Sequence, residues 1–392
     1  MARSDRISLL PEDILDHILG FLPIQDIAKT AVLSTMWRDL WFTLRQLCFD
    51  RQFFRYFDNK CKASRYEKIS CAFYTINKVI LQHKGTIQKF VIDLSHVGER
   101  TIKSRSYDCD QWLPLVKSKG VEELHLFFKL TPYNYKLPNW VFSCSTLKGL
   151  HLGGFRIEPT EFPSTLSNLT SLYLHAVCFG PTNLPCYVVD GPMLKNLSFS
   201  SCNSIAPFKI TARSLSSLTI KNCFNRDSGK ILPIACDLIS IRTLDVDYGS
   251  LEGLPVQANA INLELLKLSK FRFQDDVTTS AFVRLLSICP KLCKLEITYA
   301  GTDVNCIESL SELLKNLHSV AQTCKKLLFL ELNLYKGEWA EILFINEMLA
   351  SLPALEKVTI TCSGPRMKSK ILERVMCFAR TSTKAKIVIY PS

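Results

Sequence analysis

A six-residue pattern, apolar-x-x-apolar-x-apolar, recurs along most of this chain and restricts its fold more than any other feature. It starts at Ile87, Val121, Leu147, Leu169, Leu194, Leu215, Ile241, Leu263, Leu292, Leu327 and Leu355, at intervals of 34, 26, 22, 25, 21, 26, 22, 29, 35 and 28 residues. A single unit of this kind carries an apolar row that it cannot bury alone. Units must therefore stack, each adding a short parallel strand to a shared sheet and closing a core behind it. Side chains alternate across a strand, so the residue between the last two apolar positions faces away from that core. This outward row reads Val91, His125, His151, Tyr173, Ser198, Thr219, Asp245, Lys267, Glu296, Glu331 and Thr359. The next outward row contains Asp93, Phe127, Gly153, His175, Ser200, Lys221 and Asp247.

Most of these intervals fall in the 20 to 29 residues of leucine-rich repeats, which form a curved solenoid with its strands on the inner side. The intervals of 34 and 35 mark inserted loops or a missed repeat. Cys202 and Cys223 stand at the ninth position of their units, where the repeat takes Asn or Cys to tie down the turn, and are read as structural. The expected concave face changes along the array. His125, Phe127, His151, Tyr173 and His175 make an aromatic and histidine-rich end, and Asp245, Asp247, Lys267, Glu296 and Glu331 make a charged, mainly acidic one. These ten residues are the candidate target-binding set, with the aromatic end as anchor.

Ahead of the repeats, apolar residues at 14, 15, 18, 19 and 22 trace a helix face. Pro11, Glu12 and Asp13 suit its start, and Gly20 and Pro23 its end. A second helix is expected from about Gln25. A third, capped by Ser34, runs from Thr35 to Leu44 and displays Trp37, Leu40, Trp41 and Leu44 on one side. Three such helices bury too little surface to stand alone, so part of their apolar surface is expected to be an interface.

The segments Ile7-Ser8-Leu9-Leu10-Pro11-Glu12-Asp13-Ile14-Leu15, Ile18-Leu19-Gly20-Phe21-Leu22-Pro23, Ala31-Val32-Leu33-Ser34 and Trp37-Arg38-Asp39-Leu40-Trp41 strongly resemble the F-box. The resemblance assigns docking on a Skp-type adaptor to Leu10, Pro11, Ile14, Leu15, Ile18, Leu19, Leu22 and Pro23. Leu33, Trp37 and Trp41 stand at the core and rim of the same region. Irregular repeats after such a module resemble the plant F-box/FBD/leucine-rich-repeat proteins. The segments Leu327-Leu328-Phe329-Leu330-Glu331-Leu332, Phe344-Ile345-Asn346-Glu347-Met348-Leu349 and Leu352 to Ile360 look like their FBD module, as does the stretch around Ile387-Val388.

The expected architecture is α/β: a small N-terminal three-helix F-box at 4–46, a helical connector with the first repeat at 47–119, an irregular leucine-rich-repeat solenoid at 120–325 and an FBD-like α/β cap at 326–392. The cap reads strand, helix, strand, helix, strand. What the resemblance implies is a substrate-receptor subunit of an SCF-type cullin ubiquitin ligase, binding a Skp-type adaptor and through it a cullin, with a target protein on the repeats. The other reading is a repeat scaffold that binds partners without directing ubiquitin transfer.

The remaining features narrow the class. The sixteen cysteines are dispersed, with no CxxC and no export signal ahead of them, so they read as reduced thiols rather than disulfides or metal ligands. No uncharged apolar run is long enough to span a bilayer. An intracellular protein of the nucleus, the cytoplasm or both is expected. The net charge of +12 is spread along the chain, with no basic stripe alternating with stacking aromatics, which favours solubility or an acidic protein partner over nucleic acid. No nucleophile-elbow, zinc-protease, phosphate-loop or dinucleotide motif is present, so a non-catalytic subunit without a cofactor is expected.

Overall fold

The computed structural model describes residues 6–60, 64–129, 135–158, 164–179, 187–203, 208–223, 235–236, 238–251, 254, 260–273, 276–301, 307–321, 324–334, 336–378 and 380–391. They divide into two compact units, Met1–Gly180 and Pro181–Ser392.

The first unit opens with helices α1 (Glu12–Leu19), α2 (Ile24–Thr30) and α3 (Thr35–Thr43). Pro11 precedes α1 in extended backbone, and the Ser34 hydroxyl caps α3 by accepting the Trp37 N–H at 3.4 Å. Then come β1 (Gln46–Phe49), α4 (Arg51–Lys60), α5 (Arg65–Gln82), β2 (Lys89–Asp93), α6 (Glu99–Ser118), β3 (Glu123–Phe127), α7 (Trp140–Ser143), β4 (Gly149–Gly153), β5 (Arg156–Ile157), β6 (Ser171–His175) and β7 (Cys178–Phe179). Strands β1, β2, β3, β4 and β6 form a parallel ladder in that order. Residues 44–49 repeat the apolar pattern, Leu44-x-x-Leu47-x-Phe49, and supply β1 ahead of the eleven starts read from the sequence. The helical module is tied to this first strand. Asp16 accepts the Arg45 N–H at 3.1 Å, and His83 hydrogen-bonds the Leu44 carbonyl at 2.7 Å.

The second unit contains β8 (Tyr187–Asp190), β9 (Asn196–Ser200), β10 (Phe208–Thr211), β11 (Ser217–Lys221), β12 (Ala235–Cys236), β13 (Thr243–Asp247) and β14 (Leu265–Phe271). It continues with α8 (Asp276–Ser287), β15 (Lys294–Tyr299), α9 (Ile307–Ala321), β16 (Phe329–Asn333), α10 (Trp339–Ser351), β17 (Lys357–Cys362), α11 (Pro365–Met376) and β18 (Lys386–Pro391). The parallel ladder here runs β9, β11, β13, β14, β15, β16, β17, β18. Its last five elements are strand, helix, strand, helix, strand, in the order read from the sequence.

All eleven sequence starts lead into a strand of these ladders, and the irregular spacing has a geometric cause. Intervals of 28 to 35 residues contain a long return helix, α6, α8, α9 or α10. Intervals of 21 to 26 return through a two- to four-residue strand, the single turn of α7 or a 3-10 turn at Tyr248–Ser250. A helix advances about 1.5 Å per residue and a strand about 3.3 Å, so a helical return over the same distance takes more residues. The 34- and 35-residue intervals therefore hold α6 and α9, where a loop or a missed repeat was expected. The inward positions, such as Leu124, Leu126, Leu150, Leu152, Leu172 and Leu174, are sealed. Truncating one to alanine should cost about 2–5 kcal/mol.

A left-handed residue stands at the same repeat position, seven residues after the start, in five units: Gly154, Ala176, Ser201, Asn222 and Lys270. The turn it makes sends the next side chain inward, which buries Phe155, Val177, Cys202, Cys223 and Phe271. Cys202 and Cys223 also reach back to the carbonyls of Ser200 and Lys221 at 3.5 and 3.3 Å, the tie expected at the ninth position.

Candidate functional site

Two surfaces carry the residues read from the sequence. On α1 the apolar positions form a sector too wide for one partner. Residues four apart lie about 40° from each other and adjacent residues about 100°, so the sector splits into two stripes. Leu15 and Leu19 turn inward and are 1% and 2% exposed, and Ile24, Ile27, Trp37 and Leu40 of the same module are buried too. Ile14 and Ile18 face outward at 46% and 40% exposure, continued by Leu10 before the helix and Leu22 after it. Exposed Pro11 and half-buried Pro23 bracket this row. Leu33 is exposed and Trp41 half-buried, while Trp37 belongs to the core.

The adaptor-facing assignment of Leu15 and Leu19 is corrected accordingly. Their side chains are spent on the module's own core, and a partner could reach them only by unpacking it. The structure also exposes apolar groups outside the expected set: Ile7, Leu9, Phe21 and Val32, of which Phe21 is 77% and Val32 86% exposed. Helical periodicity could not find them because they sit in turns. The available signal was a bulky apolar residue beside Gly20 or Leu33, in segments that ought to be polar.

The second surface is the outward side of the strands. The register pairs Val91 with His125, His125 with His151 and His151 with Tyr173 in the first unit. In the second it aligns Ser198, Thr219, Asp245, Lys267, Glu296, Glu331 and Thr359. The row read from the sequence is thus a physical row in each unit. Its neighbour is interrupted at β14, where the pairing with β15 slips between Leu268 and Phe271.

In the first unit the row is a stack of rings. His125 and His151 lie 3.8 Å apart, centroid to centroid, and His151 and Tyr173 4.1 Å. Phe127 meets His125 edge-on at 6.4 Å and lies over Gly153, where an added Cβ would fall 2.5 Å from its ring. Gly153 is therefore glycine because the Phe127 ring occupies the space of a side chain. His175, beside Gly153 in register, is exposed. Burial holds the imidazoles of His125 and His151 down at about 4 against the opposing charge of Glu123, with Lys89 adding to the shift, so both are neutral at physiological pH. Glu123 stands 3.7 Å from His125 and 3.0 Å from Lys89. Burial pushes this carboxyl up, but the Lys89 hydrogen bond and charge outweigh it and leave it below the usual carboxylate value.

In the second unit the row is an ion-pair ladder. Lys221 meets Asp245 at 2.8 Å, Lys267 meets Glu296 at 2.8 Å, and Lys294 bridges Glu296 at 2.8 Å and Glu331 at 2.9 Å. Burial opposes ionisation of Glu296, and the two lysines override it, setting the carboxyl below its ordinary value. The acidic end expected from the sequence is corrected to a mixed and largely neutralised surface. Lys294 was overlooked although it stands two residues before Glu296 and so shares its face.

Asp247 also departs from the expectation. It is buried, its carboxylate accepts the N–H of left-handed Asn222, and it lies 3.6 Å from the ammonium of left-handed Lys270. The side chain fastens two turns and is not displayed to a partner. Burial raises Cys48, Cys109, Cys289 and Cys362, as expected for inert thiols. Cys223 is the exception, lowered by a hydrogen bond from Cys202.

Parallel strands stacked in register at a leucine-rich period, behind a three-helix module with an outward apolar row, define a leucine-rich-repeat protein with an N-terminal helical module. A family model described as "At1g61320/AtMIF1, LRR domain" matches residues 79–383, and the F-box domain model matches residues 7–48. The chain belongs to the plant F-box/leucine-rich-repeat family. It is 26% identical to the F-box/FBD/LRR-repeat protein At1g13570 of Arabidopsis thaliana, over 98% of each chain. It is also 26% identical to the F-box/LRR-repeat protein At3g26922 of the same plant, over 76% of this chain and 92% of the relative. This organisation is in general that of an F-box substrate adaptor. No helix among the described residues is long and apolar enough to cross a membrane.

Proposed function

We propose that this chain is the substrate-receptor subunit of an SCF-type cullin ubiquitin ligase. The observation that carries the reading is the outward apolar row Leu10, Ile14, Ile18 and Leu22, with Phe21 and Leu33 exposed in the same module. It lies inside the F-box match and leaves large apolar side chains in water, the mark of an interaction site. A Skp-type adaptor would bury this row, with Pro11 and Pro23 fixing its ends and Trp41 at the rim. The cullin would follow through the adaptor.

A target protein would occupy the outward strand rows, with His125, Phe127, His151, Tyr173 and His175 as the ring-bearing anchor. Asp245, Lys267, Glu296 and Glu331 would supply the polar contacts. Function on this reading is positional. The receptor holds a target's lysines near a ubiquitin-loaded enzyme and so raises their effective concentration, with no reacting group of its own.

Co-expression with a Skp-type adaptor tests the proposal. The wild type is expected to purify as a 1:1 complex that recovers cullin. An Ile14→Ala/Ile18→Ala/Leu22→Ala variant should lose the complex while lowering its thermal midpoint only slightly, because those side chains lie outside the module's buried core. Equal recovery by both proteins would refute the docking row. An adaptor complex that never recovers cullin would point instead to a scaffold that directs no ubiquitin transfer.

A further inference from the structure

Lys221, Lys267, Lys270 and Lys294 on the second unit's strands are paired with carboxylates, but the last elements of that unit are not balanced in this way. Among the described residues, no carboxylate lies within ion-pair distance of Arg366, Lys368, Lys370 or Arg374 on α11, or of Lys384 or Lys386 at β18. Arg366, Lys370 and Arg374 are exposed and follow one another at four-residue spacing. That places three cations in one stripe, about 6 Å apart along the axis. Like charges so spaced repel. Glu373, three residues after Lys370 and within reach, forms no ion pair with it.

The fold itself gains nothing from this arrangement. Arg366 and Lys368 sit in the first turn of α11, which contains no acidic residue and where the helix dipole disfavours cations. Lys384, Lys386 and Pro391 have a simpler explanation: among the described residues β18 pairs only with β17, and lysine and proline protect such an edge from uncontrolled pairing. That explanation does not extend to the helix.

We propose that the exposed α11 stripe, Arg366, Lys370 and Arg374, is a docking surface for an acidic segment of a partner protein. The charge sets the partner's sign, and its surroundings set its class. Leu372, the exposed apolar residue of the same helix, lies about 200° around the axis from Lys370 and Arg374, so the stripe itself is a purely charged surface that only an acidic group complements. Nucleic-acid strands are held by aromatic stacking platforms beside the cations, and α11 carries no aromatic residue. Among the described side chains of α11 a membrane would find only Leu372 large, apolar and exposed, too little to bury. The inference is independent of the adaptor-binding reading, since α11 belongs to a different unit from the apolar row.

The test uses the full chain and a fluorescein-labelled peptide of about twelve residues, rich in Glu. Wild-type binding should saturate and weaken as salt rises. Arg366→Glu/Lys370→Glu/Arg374→Glu should weaken it by about tenfold or more. A matched variant, Lys78→Glu/Arg100→Glu/Lys103→Glu, makes the same change in net charge on the first unit and should bind like the wild type. Arg366→Gln/Lys370→Gln/Arg374→Gln repeats the loss without introducing repulsion, and circular dichroism establishes that each variant is folded. The proposal is overturned if the peptide does not saturate the wild type, or if the α11 and matched variants weaken it equally. Tighter binding of duplex DNA or of anionic vesicles than of the peptide, lost in the α11 variant, would also overturn it in favour of those partners.

Discussion

In Met1–Gly180 the middle outward row is held ring on ring, His125 to His151 to Tyr173, whereas in Pro181–Ser392 the corresponding row is held charge to charge through Lys221, Lys267 and Lys294. Both rows rest on parallel strands about 4.8 Å apart. That spacing lets slanted rings touch and lets a lysine span two strands. The ring row is uncharged at physiological pH and indifferent to salt. The lysine row is nearly neutral in sum and yet salt-sensitive, since partly exposed pairs are screened. A partner docking on the first would gain by covering apolar rings, and one docking on the second would have to replace ion pairs already made. One strand geometry therefore offers two surfaces of different binding economy.

The largest expected effect tests how far the ring row depends on a missing side chain. Gly153→Ala places a methyl 2.5 Å from the Phe127 ring and should destabilise the protein by about 1–3 kcal/mol, because the ring must leave its place over β4. Ser200→Ala, at the same repeat position in β9, should stay within about 0.5 kcal/mol. Chemical denaturation of both variants measures the contrast. Adding Phe127→Ala to Gly153→Ala should remove the clash and bring the pair's cost below the sum of the two single variants. Strict additivity would mean that the ring and the glycine are not coupled.

The strand positions were legible because their signal is periodic and local. An inward residue every second position, recurring at each unit, fixed all eleven starts and the outward row of each unit. The face chemistry was only half legible. His125, His151 and Tyr173 stack because they share a row, which the repeat alone predicts. Neutralisation of Glu296 and Glu331 depends on Lys294, one row away and partly on a neighbouring strand, where a single-row reading does not look. Asp247 was misassigned for a related reason: its outward position is a matter of alternation, but its burial comes from the left-handed turns at Asn222 and Lys270. On α1 the sequence marked an apolar sector without saying where it divides, because the division depends on what packs behind Leu15 and Leu19.

Acid titration should separate the two rows next. His125 and His151 sit at about 4 in the folded protein against an ordinary 6.5, with burial as the main cause. The unfolded chain takes up protons that the folded chain refuses, so the stability associated with these groups is complete above about pH 6.5 and is lost as pH falls towards 4. Glu296, held below its ordinary 4.5 by Lys267 and Lys294 against the opposing effect of burial, contributes stability that is present above 4.5 and disappears in a lower window. Four of the five tryptophans, Trp37, Trp41, Trp112 and Trp140, lie in the first unit, so tryptophan emission reports mainly on it. The denaturation midpoint followed by emission should fall between pH 6.5 and 4, and His151→Gln should flatten that fall. An unchanged slope in the variant would mean that the stacked imidazoles are not the groups being titrated.

The smallest expected effect tests whether the charged row is electrostatic at all. Lys294→Met keeps the aliphatic stem and removes an ammonium that bridges Glu296 and Glu331. Both carboxylates are partly open to water and Glu296 keeps Lys267, so the loss at low salt should be about 0.3–1 kcal/mol. At about 1 M salt the screening length drops to roughly 3 Å, and the difference between wild type and variant should shrink towards zero. Tyr173→Leu in the ring row should lose the same stability at both salt concentrations, since ring contact carries no net charge to screen. A Lys294→Met cost that persists at high salt would mean that the lysine's methylenes, packed along the strands, hold the row, and the distinction between the two faces would then be one of shape rather than of force.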